Sequence, residues 1–339
     1  MLEKLRVNKS SVDKFILDFL PKTDDVKEVQ NFYDMMRDYP SRPGKGLRSS
    51  LCILTCETFG GEREKAIRTA AALEVFQNWI LIHDDIEDSS EMRRGEPVLH
   101  RKCGIPMAIN IGDALHAQMW NVLMDNQKVL RQSKTLELVN EFLRMINKTT
   151  EGQHIEISWV TNNSWLQTEE DYYHMVDKKT SWYTCISPIR LGAIIAEVDK
   201  SNLDLLIPFG SKLGTAFQIQ DDILNLKGDE KKYGKEQGGD IMEGKRTLMM
   251  IHLLNRSDQK DRKKVLEIMN KSRSKRRTSE VDEILNLMEK YGSMDYAKTK
   301  AEEYAFEAKK LFKKIFLKVP SSHSKTLEEL IDFMVKREW

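Results

Sequence analysis

AAALEVFQNWILIHDDIED, residues 70–88, is the stretch whose reading decides the fold. Its apolar side chains recur at helical spacing, and no two-residue alternation interrupts them. The run ends in acid. At about 100° per residue, Asp84 and Asp88 fall on one helix face with Asp85 flanking it. Adjacent carboxylates closing an apolar helix repel each other and are costly to desolvate unless a cation lies between them. A second cluster, Asp221-Asp222-Ile-Leu-Asn225, repeats the arrangement after the apolar run LGTAFQIQ. Solvated helix surface would explain one such cluster but explains two poorly. Oxygen donors with no cysteine or histidine set select a hard cation, above all Mg²⁺, which keeps several waters and binds phosphate as well.

The rest of the chain agrees with a helical reading. Its 339 residues contain only 17 glycines and 8 prolines, so turn-makers are scarce and elements long. Helices are expected over Ser11–Tyr39 (broken near Pro21), Leu47–Phe59 and Glu62–Asp88. Others start near Ala108, Leu136, Thr168, Asn202 and Lys212, with the last three around 281–291, 294–316 and 326–337. Thr168-Glu-Glu-Asp171 resembles a capping box with the shorter acid. Ser89–Pro106 reads as a polar loop and no useful strand pattern appears. The expected architecture is all-α in a single domain over 1–339, with N-terminal helices in 1–40 and a basic connector in 255–280.

Charge excludes several classes of function. With 54 basic and 53 acidic side chains the formal net charge is +1, so nothing pulls the whole chain toward nucleic acid or anionic lipid. The basic run Arg262–Arg277 carries no interleaved aromatics and reads as a solvated connector rather than a nucleic-acid module. The first residues lack an apolar core and no run reaches the ~20 residues of a membrane span, so cytoplasmic placement without integral membrane association is expected. The cysteines Cys52, Cys56, Cys103 and Cys185 read as reduced thiols. Local charge is another matter. Lys45, Arg48, Arg93, Arg94, Lys179, Lys235 and Lys245 punctuate the loops and helix ends beside the acids. Each alone would more often be solvated; together they describe a site for a metal-bridged polyanion, and diphosphate suits it better than carboxylate. The apolar wall before Asp84 adds a hydrocarbon tail to that ligand, although most of its side chains are core.

At these residues the chain resembles the trans-isoprenyl diphosphate synthases, and among them the archaeal-type short-chain geranylgeranyl and farnesyl enzymes. The resemblance is carried in order by GKGLRS, LEVFQNWILIHDDIEDSSEMRRGEPVLH, GQHIE, KKT, FQIQDDILN and YGKEQGGDIMEGKRT, from about Pro43 to the C-terminus. It implies an all-α fold around a deep central cavity, usually in a homodimer. It makes Asp84, Asp85 and Asp88 the first aspartate motif and Asp221 and Asp222 the second. Together these would hold three Mg²⁺, or Mn²⁺, on the allylic diphosphate, with Arg93, Lys179 and Lys235 as its basic contacts. Lys45, Arg48, Gln77 and Arg94 match the isopentenyl diphosphate site. Thr180 and Gln218 match positions at the reacting end of the allylic chain, Lys245 a lysine near the mouth, and Gln153 with Glu156 the GQxxD element around the metal. Trp79 and Ile80 match the floor that limits product length.

Four departures are visible. Pro43-Gly-Lys-Gly-Leu-Arg-Ser49 stands for GGKRLRP and loses one basic residue. Gln77 replaces a more frequent histidine, Glu156 replaces aspartate, and Asn225 ends the second motif where aspartate is usual. The implied reaction is head-to-tail condensation of isopentenyl diphosphate with allylic diphosphates of C5 to C15. One aromatic, Trp79, followed by the aliphatic Ile80 resembles the archaeal geranylgeranyl enzymes and so implies a C20 product over C15. A class I terpene cyclase would want (N/D)DxxSxxxE, which is missing, and a non-catalytic partner subunit would usually have lost one of the two motifs.

Overall fold

In the computed structural model, which describes residues 1–227, 238–316, 319 and 322–336, helix follows helix almost without interruption. α1 (Leu2–Phe19) starts at Leu2 instead of Ser11, because Leu5, Val12 and Ile16 already bury one face. α2 (Lys27–Ser41) carries Pro40 in its last turn. α3 (Leu47–Thr58) is buried on nearly every side. α4 (Arg63–Glu87) is the apolar helix that ends in acid. The expected loop after it holds a two-strand antiparallel hairpin, β1 (Met92–Arg93) and β2 (Glu96–Pro97), and the short α5 (Leu99–Cys103). These strands are absent from the expected all-α scheme. Four paired residues are too short a run to show as alternation.

α6 (Ile105–Met124) and α7 (Gln132–Thr161) follow. α8 (Glu169–Val176) starts from the capping box that the spacing of Thr168 and Asp171 predicts. Next comes a π-helical stretch, Asp177–Ile186, running into α9 (Ser187–Ile195). The widened turns have a neighbour-imposed cause. A Cβ on Gly152 of α7 would stand 2.2 Å from the Lys179 backbone nitrogen, and one on Gly214 would stand 2.5 Å from the Ser181 Cα. Two glycines on flanking helices thus admit the π backbone at close range, and π segments are frequent at functional sites. α10 (Lys200–Lys227) is one helix where two were expected, with Pro208 accommodated inside it.

The remaining helices are α11 (Gly239–Glu243), α12 (Leu248–Arg256), α13 (Gln259–Met269), α14 (Thr278–Lys290), α15 (Ser293–Phe316) and α16 (Ser322–Lys336). The solvated basic connector of 255–280 therefore needs correction. It contains α13, and Arg276 is buried, donating to the carbonyls of Ile241, Met242 and Met269. Lys263, Lys264 and Lys271 are paired with Glu267, Glu283 and Glu280.

α3 packs between α4 and α9, α4 against α6, and α10 against both α15 and the π segment. Fully buried Tyr39, Phe76, Phe142 and Phe209 fill the space between them. Each such side chain contributes about 1.5–3 kcal/mol to holding the frame around the cavity. Among the described residues, no helix is long and apolar enough to cross a membrane.

Candidate active site

The cavity encloses about 690 Å³ and is walled by the ends of α3 and α4, the hairpin, the π segment and α10. Asp84 and Asp221 line it from opposite helices. The helical spacing separates the first acids as expected, with one change. Asp84 lies among Lys179 Nζ at 3.4 Å, Arg93 Nη2 at 3.5 Å and Gln153 Nε2 at 3.3 Å. Asp88 pairs with Lys245 Nζ at 2.9 Å. Asp85, expected among the metal ligands, is fully buried and turned away from the cavity. It accepts from Arg93 Nε at 2.9 Å and from the Tyr39 hydroxyl at 2.6 Å. One residue along the helix turns the side chain by about 100°, which takes it off the ligand face.

In the second cluster Asp221 lines this cavity, and Asp222 lines a smaller pocket that shares Asp221, Lys179 and Lys245 with it. Asp222 is buried and accepts from Gln218 Nε2 at 2.7 Å and the Tyr172 hydroxyl at 2.8 Å, while Gln218 Oε1 accepts from the Thr180 hydroxyl at 2.7 Å. Asn225 faces elsewhere. Its side-chain oxygen accepts from the Asp240 backbone N–H at 2.9 Å and so ties α10 to the start of α11. Lys235 lies outside the described residues.

The basic side chains are interleaved with these acids. Lys179 pairs with Glu156 and Asp84. Burial works against its charge, yet Glu156 and Asp84 outweigh burial and hold the ammonium well above the usual lysine range. Lys245 sits between Asp88 and Glu243, both at 2.9 Å, and is likewise raised against burial. Burial pushes the carboxyls of Asp88 and Asp222 upward; Lys245 opposes this for Asp88, and Gln218 and Tyr172 oppose it for Asp222. Crowded acids whose charge is this costly are groups that a divalent cation would relieve.

The fit to such a cation can be tested on the donor set. The carboxylates at the site offer oxygen, no thiol lines the cavity, and the imidazole that does, His83, lies 3.7 Å from Asp113. Among the described residues, no three acidic, histidine or cysteine side chains close around a point. That suits an ion held by one or two carboxylates, with waters and phosphate oxygens supplying the rest.

The expected isopentenyl diphosphate residues form a second group. Lys45, Arg48, Gln77 and Arg94 all line the cavity, next to the loop at Gly44 and Gly46. Arg48 is buried, donates to Thr184 Oγ1 at 2.9 Å and lies 4.4 Å above the Tyr183 ring. Its Nε has no hydrogen-bond partner among the described residues. The partners around Gln77 assign its amide orientation: oxygen accepting from Arg48 Nη1 at 2.9 Å, nitrogen donating to Glu74 at 3.1 Å. Glu74 also accepts from the Ser49 backbone N–H at 3.1 Å, in the first turn of α3. No local spacing marks Glu74; it reads as polar relief on an apolar helix.

Trp79 and Ile80 line the far wall with Phe217. The Trp79 ring is stacked on His116 of α6, whose Nε2 accepts from Trp120 Nε1 at 3.0 Å. Burial lowers the His116 pKa, which suits its role as a neutral acceptor. His116 lies too far along the chain from Trp79 for spacing to pair them.

Comparison with known proteins follows the same lines. The sequence profile of the polyprenyl synthetase family matches residues 29–288. The chain is 34% identical over 313 residues to the geranylgeranyl diphosphate synthase of Sulfolobus acidocaldarius, covering 91% of this chain and 92% of that one. Its fold is similar to the crystal structure of geranylgeranyl pyrophosphate synthetase from Pyrococcus horikoshii, with a TM-score of 0.85, 32% identity and 99% of each chain covered. It also superposes on the geranylgeranyl pyrophosphate synthase of Corynebacterium glutamicum, crystallised with isoprenyl diphosphate and magnesium, with a TM-score of 0.89 and 99% of each chain covered. At 23% identity that last likeness concerns the fold.

Proposed function

This chain belongs to the polyprenyl synthetase family and is a trans-prenyltransferase, and we propose that the cavity lined by both groups of bases joins isopentenyl diphosphate to an allylic diphosphate with C20 as the main product. The observation that carries this reading is the presence of two separate basic groups on one cavity, each suited to one diphosphate. A terpene cyclase ionises a single diphosphate and has no use for Lys45, Arg48 and Arg94 beside the acids.

Arg93, Lys179 and Lys245, joined by Lys235 from outside the described residues, hold the allylic diphosphate and stabilise the charge that gathers on it as its C–O bond breaks. Asp84, Asp88, Asp221 and Asp222, with Glu156 and Gln153 behind them, would hold Mg²⁺, which when bound shares the phosphate oxygens and draws electron density off the leaving group. Asp85 acts through Arg93, whose guanidinium it fixes. Lys45, Arg48, Gln77 and Arg94 hold isopentenyl diphosphate so that its double bond meets the allylic carbon. A carbon–carbon bond forms there, and the departed diphosphate accepts the proton released from the neighbouring carbon. Trp79, Ile80, Leu81 and Phe217 give the growing chain an apolar wall that keeps water from the cation.

Three coarser features belong to the same reading. The chain acts as one domain. It works in the cytoplasm. It pairs as a homodimer, for which the exposed Ile105, Met107 and Ile109 of α6 and Leu136 and Leu143 of α7 offer apolar surface.

Incubating the protein with isopentenyl diphosphate, Mg²⁺ and C5, C10 or C15 primers in turn tests the proposal. Chain elongation ending mainly at C20 is expected; no condensation with any primer overturns it.

A further inference from the structure

Arg93 and Arg94 are neighbours in sequence that serve opposite sides of the cavity, and a single tight turn makes this possible. The strands pair Arg93 with Glu96, so Arg94 and Gly95 form a two-residue loop with φ of 54° and 80°. Two positive φ values are the mark of a type I′ turn, whose first place favours asparagine or glycine over a long side chain. An arginine kept in such a conformation persists only where the surroundings over-determine it, and such positions cluster at functional sites. The turn sends the Arg93 guanidinium to Asp85 and Asp84. It sends that of Arg94 to the Tyr39 carbonyl at 3.2 Å and Asn78 Oδ1 at 3.4 Å. The Arg94 guanidinium carbon lies only 3.6 Å from where a Cβ on Gly44 would stand, beside Lys45.

What over-determines the turn is the end of α2. Arg42 is 5% exposed and spends its planar fork on three partners. Its Nη1 donates to the Arg93 carbonyl at 2.9 Å, its Nη2 to the Pro97 carbonyl at 2.8 Å, and its Nε to Asp38 at 2.6 Å. It therefore spans both strands of the hairpin at once, and it lies 4.3 Å over the ring of Tyr39, the residue that anchors Asp85. A lysine at position 42 could satisfy only one of these groups at a time with comparable geometry.

We propose that Arg42 is the positioning residue for both diphosphate subsites, holding the Met92–Pro97 hairpin so that Arg93 meets the allylic diphosphate and Arg94 meets isopentenyl diphosphate. This rests on the assignment of Arg93 and Arg94 to the two substrates given above. Its signature is a double effect. A residue that touches one ligand changes one KM, and a residue that only supports the fold lowers the melting temperature without raising either KM of the folded fraction.

The test is steady-state kinetics with each substrate varied in turn, on Arg42→Ala, Arg42→Lys and Arg94→Ala, alongside thermal unfolding. Arg94→Ala is expected to raise the KM for isopentenyl diphosphate alone. Arg42→Ala is expected to raise both KM values about tenfold with a smaller change in kcat, and Arg42→Lys to recover part of both. If Arg94→Ala raises its KM while the Arg42 variants leave either substrate's KM within twofold of the parent, the clamp is overturned and the substrate assignment stands. If Arg94→Ala leaves the isopentenyl diphosphate KM unchanged, the assignment itself falls and takes the clamp with it. Should Arg42→Ala not fold, Arg42→Lys decides by the same twofold criterion.

Discussion

The indole of Trp79 lies flat on the imidazole of His116, with ring centroids 4.0 Å apart and 16° between their planes. Phe76 meets the same indole edge-on at 5.5 Å, so this ring, the proposed floor of the cavity, has little freedom to swing aside. Trp79→Ala opens the wall toward α6, and the main product should lengthen from C20 to C25 or beyond. His116→Ala leaves the indole in place but unsupported, so a smaller share of longer product is expected. Chromatography of the dephosphorylated alcohols reads both, and unchanged distributions would remove Trp79 from the floor.

Asp85 should behave unlike Asp84. With Tyr39 and Arg93 as its partners, its carboxylate is a buried counter-charge. Removing one partner of a buried pair typically costs about 3–5 kcal/mol, because the other charge is stranded. Asp85→Asn is thus expected to lower unfolding stability by about 3 kcal/mol in urea titrations, and Tyr39→Phe by about 1 kcal/mol. Asp84→Asn, on the open cavity face, should leave stability nearly unchanged and cut kcat instead. Equal stability losses for Asp84→Asn and Asp85→Asn would contradict the different placement of the two side chains.

That difference marks how far sequence alone reaches. Acids closing apolar helices have no comfortable structural reason, so both clusters and their bases stand out. Tyr39, Arg42 and Glu74 do not, because each acts on a group far along the chain, as Tyr39 does on Asp85. The π segment is equally hidden: its cause lies in Gly152 and Gly214, on helices other than its own. Pro208 marks a helix break by local rules, yet α10 continues through it among the packed neighbours α15 and α9. Arg276 reads locally as one charge in a solvated run, yet it binds the carbonyls at the end of α11. Local chemistry is legible; the supports that reach across the fold are not.

Burial lifts the Asp88 and Asp222 carboxyls to about 7 in the metal-free protein. A carboxyl whose folded pKa is raised stabilises the fold fully below its unfolded value near 4, and that contribution is lost as pH rises through the folded value. Without divalent cations, the melting temperature should therefore fall between about pH 5 and pH 8. Mg²⁺ must displace these protons, so its affinity should rise with pH over the same interval and its binding should release protons in weakly buffered calorimetry. A metal-free melting temperature that climbs from pH 5 to pH 8 would mean the two carboxyls are not raised.

Arg94 sets stability against function in one residue. Its positive φ costs a non-glycine side chain on the order of 1 kcal/mol, and asparagine accepts that conformation more readily. Arg94→Asn removes a guanidinium whose bonds to Tyr39 and Asn78 are long, at 3.2 and 3.4 Å, so little is lost in the folded state. The variant should unfold at the same or slightly higher urea concentration, by up to about 1 kcal/mol. It should also bind isopentenyl diphosphate at least tenfold more weakly, because asparagine brings no charge and a shorter reach. Stability and affinity moving in opposite directions would identify the turn as strain kept for the ligand. A clear loss of stability with unchanged KM would make Arg94 a structural residue of the hairpin.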